Sequence, residues 1–358
     1  MSATTMQELL TLMCDRNASD LLLTAGMPPQ LRLNGLLVSA DLPALDPDAI
    51  HKLAYGILNE KLIAQFEADK NLDISRDFNG LARFRMNIFF QRESVAMAIR
   101  KIPMDIPSFE ELGLPHIVKE FSSRPHGLVL ITGPAGSGKS TTLAAMIDFI
   151  SRNRQAHVIC IEDPIEYMHG HHLSAVEQRE IGADVHSFGD ALRSVFRQSP
   201  DVIMVGEMRD PETMQLVLSL AETGHLILAT LHTQDTTHSI NRIVDSFPPG
   251  QQHQVYTQLA LVLVGVMSQQ LIITKDGKSR VLACEVMYVN NAIRNLIREM
   301  QIQQINSVIQ TARAEGMQTM DDALARLCEA DLIDVDVALS RSSQPKEMTR
   351  LLQLRKHK

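Results

Sequence analysis

The chain has 358 residues, 45% hydrophobic and 21% charged, which leaves room for two or three domains and excludes a disordered chain. Its net charge of −8 argues against a dedicated nucleic-acid binder, which carries a basic surplus. The first residues, MSATTMQELLTLMCDRNASD, lack a basic start followed by an apolar core, and the longest apolar run, Leu259 to Met267, is far short of the ~20 residues that cross a bilayer. Cys14, Cys160, Cys284 and Cys328 lie far apart with no CxxC pair, so reduced core thiols are expected rather than a zinc ribbon or disulfides. A soluble, cytoplasmic protein is expected.

Residues 1–101 read as a small α+β domain. A leading helix over Met6 to Cys14 comes first, then short alternating strands such as LLLTAG and PQLRLNG. A helix around Asp48 to Glu67 follows, and then two strand-like runs, ARFRMNIFF and SVAMAIRKI. Residues 102–125 carry Pro103, Pro107, Pro115 and Pro125 around a helical patch near Phe109 to Leu112, and read as a linker.

From His126 to about 290 the pattern becomes strands alternating with helices. GLVLIT (127–132), HVICIED (157–163), DVIMVGE (201–207) and HLILATLHT (225–233) are apolar almost throughout. Such runs suit a parallel sheet covered on both faces. TTLAAMIDFISRN and PETMQLVLSLAETG read as helices, the second opened by Asp210-Pro211 and closed by Gly224. A hairpin is expected at Lys275-Asp276-Gly277-Lys278, and residues 291–358 read as short helices.

Gly133-Pro134-Ala135-Gly136-Ser137-Gly138-Lys139-Ser140-Thr141 fits GxxxxGK[ST], follows an apolar strand and opens a helix. Its backbone amides would form an anion nest, Lys139 would charge-pair with the β- and γ-phosphates of ATP, and Ser140 would ligate Mg²⁺. The bland alternative is a glycine-rich turn that binds no nucleotide. Hydrolysis also requires a carboxylate on the metal side and a group that activates water. Glu162 and Asp163 end one strand and Glu207 another, and carboxyl ends of parallel strands line the ligand crevice. Each acid alone would equally suit a turn or helix cap. Gly206 stands where a Walker B aspartate usually precedes the glutamate. Glu207 is therefore assigned to magnesium, through water, and Glu162 to the lytic water.

His225 starts the strand HLILATLHT and His232 nearly ends it; an odd offset of seven residues puts them on opposite faces and argues against a shared metal. His232 falls near phosphate, whereas His225 suits a core or loop position. Arg83 and Arg85 share one face of a strand, and by themselves they read as a solvated pair on an edge strand.

With these pieces placed, the chain resembles the PilT/PilU branch of the secretion-type hexameric ATPases. GPAGSGKSTTLAAMID, IEDPIEY, DVIMVGEMRDPETM and AETGHLILATLHT carry the likeness, with SDLLLTAGMPP, RLNG, RFRMN and GMQTMDDAL. So does Ala292-Ile293-Arg294-Asn295-Leu296-Ile297-Arg298-Glu299, the family's retraction motif, which reads physically as an amphipathic helix. The resemblance implies an α/β chain: a PAS-like N-terminal domain followed by a RecA-like P-loop domain with a mostly parallel sheet and C-terminal helices. It implies a homohexameric, ATP- and Mg²⁺-dependent motor that retracts type IV pili. That motor would work at the cytoplasmic side of the inner membrane, on a membrane platform protein, with a paralogous retraction ATPase as a further partner and no nucleic acid. Glu162 would be the catalytic glutamate, Glu207 the Walker B glutamate, His232 the His-box residue, and Arg83 and Arg85 the N-terminal arginines near phosphate. Two rivals share parts of this chemistry. A pilus-extension or type II secretion ATPase usually carries a four-cysteine zinc insertion, and a RecA-type nucleic-acid motor would need a basic, aromatic stretch.

Overall fold

Apolar runs too continuous to leave one face wet form the middle of the larger of two sheets. The computed structural model describes residues 4–356 except 34, 79, 104 and 343, with side chains as far as 352; Asn34, within the expected PQLRLNG and RLNG runs, lies outside the described residues. The chain divides into two compact units, Met1–Asp105 with Pro164–Met168, and Ile106–Asp163 with His169–Lys358.

In the first unit, α1 (Met6–Asp15) starts from a capping box in which Thr5 and Glu8 exchange side-chain-to-backbone hydrogen bonds. Its strands are β1 (Asp20–Leu23), β2 (Gln30–Leu33), β3 (Leu36–Ser39), β4 (Asn71–Phe78), β5 (Ala82–Gln91) and β6 (Ser94–Ile102). They form an antiparallel sheet in the order β3-β2-β1-β6-β5-β4. The single helix expected over 48–67 is two, α2 (Pro47–Tyr55) and α3 (Glu60–Asp69). Gly56 ends the first, and the Asn59 side chain starts the second by accepting the Leu62 N–H at 2.9 Å. Leu10, Met13, Phe66, Phe84 and Met86 lie in the core of this unit. One expectation is corrected here: β5 pairs with β4 on one side and β6 on the other, so Arg83 and Arg85 stand on an interior strand, not an edge.

The second unit opens with Pro-interrupted chain. Phe109 to Leu112, expected to be helical, is a turn, and the helix here is α4 (Ile117–Ser122), whose Phe121 is fully buried. The strands are β7 (Gly127–Thr132), β8 (His157–Glu162), β9 (Ala175–Glu180), β10 (Val202–Val205), β11 (Leu226–Leu231), β12 (Leu263–Ile273) and β13 (Arg280–Tyr288). Their order is β13-β12-β7-β11-β10-β8-β9, and every pairing is parallel except the β12–β13 hairpin. The hairpin turns at Gly277, as expected from the sequence.

The helices of this unit include α5 (Lys139–Asn153), α6 (Phe188–Val195), α7 (Pro211–Glu222), α8 (Thr236–Asp245) and α9 (Pro249–Val262). Shorter helices follow: α10 (Asn291–Arg298), α11 (Ile305–Thr311), α12 (Met320–Glu329), α13 (Val335–Arg341) and α14 (Pro345–Lys356). Strand residues alternate between two cores. Leu128, Leu130, Ile159, Ile161, Ile203 and Val205 pack with α6, α7 and α9. Val129, Ile131, Val158, Cys160, Val202 and Met204 pack with α4 and α5 on the other face. The apolar run Leu259 to Met267 is shared by the end of α9 and the start of β12. Among the described residues no helix is long and apolar enough to cross a membrane.

Gly265 on β12 lies beneath the Phe121 ring: an added Cβ would come within 2.3 Å of Phe121 Cζ and 2.9 Å of the Met287 carbonyl oxygen. Neither a core aromatic nor a paired strand moves aside cheaply. Gly265→Ala is therefore expected to destabilise the protein by about 1–3 kcal/mol, the usual cost of overpacking. Urea titration would register this as a lower midpoint at unchanged slope, and an unchanged midpoint would contradict the packing argument.

Candidate active site

The phosphate loop begins where β7 ends. Gly133 has φ +140°, and a Cβ there would fall 2.4 Å from the Gln269 carbonyl oxygen and 2.6 Å from Ser137 Oγ. Only glycine closes this turn. Gly138, at φ +90°, then leads directly into α5. Pro134, Ala135 and Gly136 form the exposed crest of the loop, while Ser140 and Thr141 are half-buried in the first turn of the helix. Lys139 is buried, and its Nζ donates to the carbonyl oxygens of Gly133 at 2.8 Å and Pro134 at 2.9 Å. Ser137 Oγ is buried and has no hydrogen-bond partner among the described residues. A glycine-shaped cradle, a helix N-terminus, a lysine held at the loop and an orphaned hydroxyl together fit a nucleotide phosphate.

Along the carboxyl edge of the sheet, the neighbours of this loop follow the strand order. β11 lies beside β7, β10 beside β11, and β8 beside β10. His232 comes just after β11, Glu207 just after β10, and Glu162 is the last residue of β8. His232 Nδ1 is 3.5 Å from Lys139 Nζ, and its Nε2 is 3.2 Å from Glu207 Oε1. An ammonium only donates, so Nδ1 is the acceptor and Nε2–H donates to the carboxylate. The imidazole thus links the loop lysine to the acid.

Glu207 Oε1 also receives Arg209 Nε at 2.8 Å. Burial by itself would push this carboxyl up. The Arg209 hydrogen bond and charge outweigh it, and with His232 they hold Glu207 below the usual carboxylate range. Gly206 is confined by the adjacent strand: a Cβ there would meet the Ile161 carbonyl oxygen at 3.3 Å and Glu162 Cα at 3.4 Å. That crowding is a physical reason for the missing aspartate.

Glu162 is 7% exposed, and its Oε1 accepts a hydrogen bond from Gln178 Nε2 at 2.9 Å. Asp163 lies just beyond it and adds to the negative field around Arg209. His225 stands apart from this group: its Nδ1 is 2.9 Å from the Leu220 carbonyl oxygen, a bond that satisfies the C-terminus of α7. Arg83 and Arg85 belong to the first unit, where Arg83 Nη1 pairs with Asp77 at 2.9 Å and Arg85 Nε lies 3.7 Å from Asp73.

The structure therefore joins Lys139, His232 and Glu207 by direct contact and sets Glu162 on the next strand along. Sequence reasoning gave no role to Arg209 or Gln178. Arg209 had a signal, a cation two residues after Glu207 within GEMRD, but Gln178 had none, because it lies on an unrecognised strand.

Residues 83–318 match the family model of type II/IV secretion system proteins. Over 338 residues the chain is 45% identical to the type IV pilus retraction ATPase PilT of Pseudomonas aeruginosa, covering 94% of this chain and 98% of that one. The type IV pilus ATPase PilU of the same organism is 38% identical over 348 residues, with 97% and 91% covered. The crystal structure of a pilus retraction motor, PilT with bound ADP, matches with a TM-score of 0.92 at 47% identity, covering 97% of this chain and 99% of that one. On this agreement of sequence and fold, the chain belongs to the type II/IV secretion system protein family, within its PilT/PilU branch.

Proposed function

We propose that this protein is an ATP-hydrolysing motor that works as a homohexameric ring and drives retraction of type IV pili. The ring would dock from the cytoplasm on a platform protein of the inner membrane and work beside a paralogous retraction ATPase. The observation that carries this reading is the Lys139–His232–Glu207 chain of contacts at the carboxyl edge of the sheet. It is supported by full-length likeness to a retraction ATPase, whereas a type II secretion protein E of Pseudomonas aeruginosa aligns over only 44% of this chain.

In this reading the loop from Gly133 to Thr141 wraps the phosphates, and Lys139 exchanges its two carbonyl partners for phosphate oxygens. Magnesium, when bound, neutralises charge on those oxygens; the Ser140 hydroxyl, and Glu207 through water, are the groups that would hold it. His232, linked to both Lys139 and Glu207, responds when the lysine leaves the loop carbonyls. Glu162 takes the proton of the attacking water. Arg83 and Arg85 add positive charge against the transferred phosphoryl group.

Lys139→Ala is expected to abolish phosphate release while leaving the circular dichroism spectrum and melting profile close to wild type. Normal turnover would remove the phosphate loop from the mechanism.

The two glutamates separate by their kinetics. Glu162→Gln should retain ATP binding but lose roughly 10²-fold or more in kcat, as expected for a lost general base. Glu207→Gln should instead raise the magnesium concentration needed for half-maximal rate. Normal hydrolysis by the first variant, with only the second inactive, would reverse the two roles.

Coupling to the pilus has a test of its own. Ile293 and Ile297 dock α10 in the core, while Arg298 is exposed and Arg294 half-buried. Replacing both arginines with Ala should leave ATPase activity close to wild type and change stability by only about 0.5 kcal/mol, as for surface substitutions. Cells carrying this variant should nonetheless be hyperpiliated and unable to twitch. Normal twitching would make the arginines a solvated face only, and parallel loss of ATPase would assign them to hydrolysis or assembly.

A further inference from the structure

The carboxylate assigned to the attacking water is not left to find its own orientation. Glu162 ends β8, and β9 lies beside it in parallel register, with Cys160 opposite Gln178 and Glu162 opposite Glu180. Register partners in a parallel pair point to the same face, and residues two apart on one strand share that face. Gln178 therefore stands on the side of the sheet from which the Glu162 side chain emerges. The two meet at 2.9 Å, Gln178 Nε2 to Glu162 Oε1. At its other end, Gln178 Oε1 accepts the backbone N–H of His169 at 2.9 Å.

These two bonds set the direction of the amide. A backbone N–H can only donate, so it fixes Oε1 toward His169 and leaves the NH₂ group toward Glu162. An ionised carboxylate can only accept, so the Nε2–H bond favours the anion and holds one oxygen in place. A base that must meet one lone water profits from this, because small misplacements of reacting groups are costly in rate.

We infer that Gln178 is a positioning residue for hydrolysis, anchored by the His169 amide and orienting the Glu162 carboxylate toward the lytic water. The inference rests on the assignment of Glu162 as the base. It gives Gln178 no contact with nucleotide and predicts an effect on kcat alone.

Two substitutions isolate the link. Gln178→Glu keeps an acceptor for the His169 N–H but replaces the donor facing Glu162 by a second carboxylate. Gln178→Met keeps the volume and removes both bonds. Each should lower kcat by about tenfold or more while the KM for ATP stays within about twofold, the pattern of an interaction made for the transition state. Gln178→Glu should also shift the acid limb of the kcat–pH profile upward. Two carboxylates in hydrogen-bond reach share a proton, so Glu162 would ionise only at higher pH. Glu180, the register partner of Glu162, and the buried Cys160 face the same group and are unaltered in both variants.

Values of kcat within twofold of wild type in both variants would overturn the proposal. A raised KM at retained kcat would overturn it too, by making Gln178 a binding residue. Glu162→Gln, assayed in parallel, distinguishes the underlying reading: if it hydrolyses ATP normally, the base assignment itself fails. If it is inactive while the Gln178 variants are normal, only the positioning role is lost.

Discussion

Burial of the central strands on both faces is the constraint from which the rest of the second unit follows. β7, β8, β10 and β11 carry apolar side chains alternately into one core and the other, so their middles have no place for an ionised group. Polar chemistry is displaced to the strand ends. Because these strands are parallel, their carboxyl ends lie along one edge, and chain order no longer governs who meets whom. Lys139, Glu162, Glu207 and His232 are dispersed over almost a hundred residues of chain, yet the strand order β7-β11-β10-β8 lines them up.

That constraint also decides what was readable in the sequence. The four central parallel strands were legible because double burial writes itself as unbroken apolar letters. The strands that went unnamed, β3, β4 and β9, each close one edge of a sheet. β4 and β9 read NLDISRDF and AVEQRE: a strand with a neighbour on one side only needs little apolar surface, so its sequence resembles a loop. β3 is apolar but only four residues long, with all four exposed. The assignment of Arg83 and Arg85 to an edge failed for the same reason, since the charged strand β4 beyond them had not been recognised.

The turn from β7 into α5 was legible, because Gly133, Gly136 and Gly138 all stand at positive φ, where glycine is the default residue. What the sequence could not express was the hydrogen bonding around it. Arg209 bonding Glu207, Gln178 bonding Glu162 and His225 closing α7 are pairings of ordinary polar residues whose partners lie across a strand or a turn. Spacing carries no trace of them. His225 illustrates the limit: it and His232 lie just outside opposite ends of β11, and the Leu220 carbonyl gives His225 its task.

Gly206 links these threads. β10 stops at Val205, and the adjacent β8 backbone crowds any side chain at the next position, with contacts of 3.3 and 3.4 Å to an added Cβ. The acid on this strand is thereby moved one residue further, to Glu207, beyond regular structure and on a loop. A loop carboxylate keeps its place only if something holds it. Arg209 and His232 hold the carboxylate, and the Met208 N–H, bonded to the Thr230 carbonyl oxygen at 3.2 Å, ties the loop to β11. Glu162, by contrast, is the last residue within β8 and takes a hydrogen bond from an amide of the neighbouring strand. Of the two acids, the one fixed by the sheet suits a role that demands constant geometry toward water. The one on the loop, tied to the lysine through a histidine, suits a role that changes when phosphate arrives. The strand's shortage of space at a single glycine is thus enough to divide the two carboxylates by rigidity as well as by position.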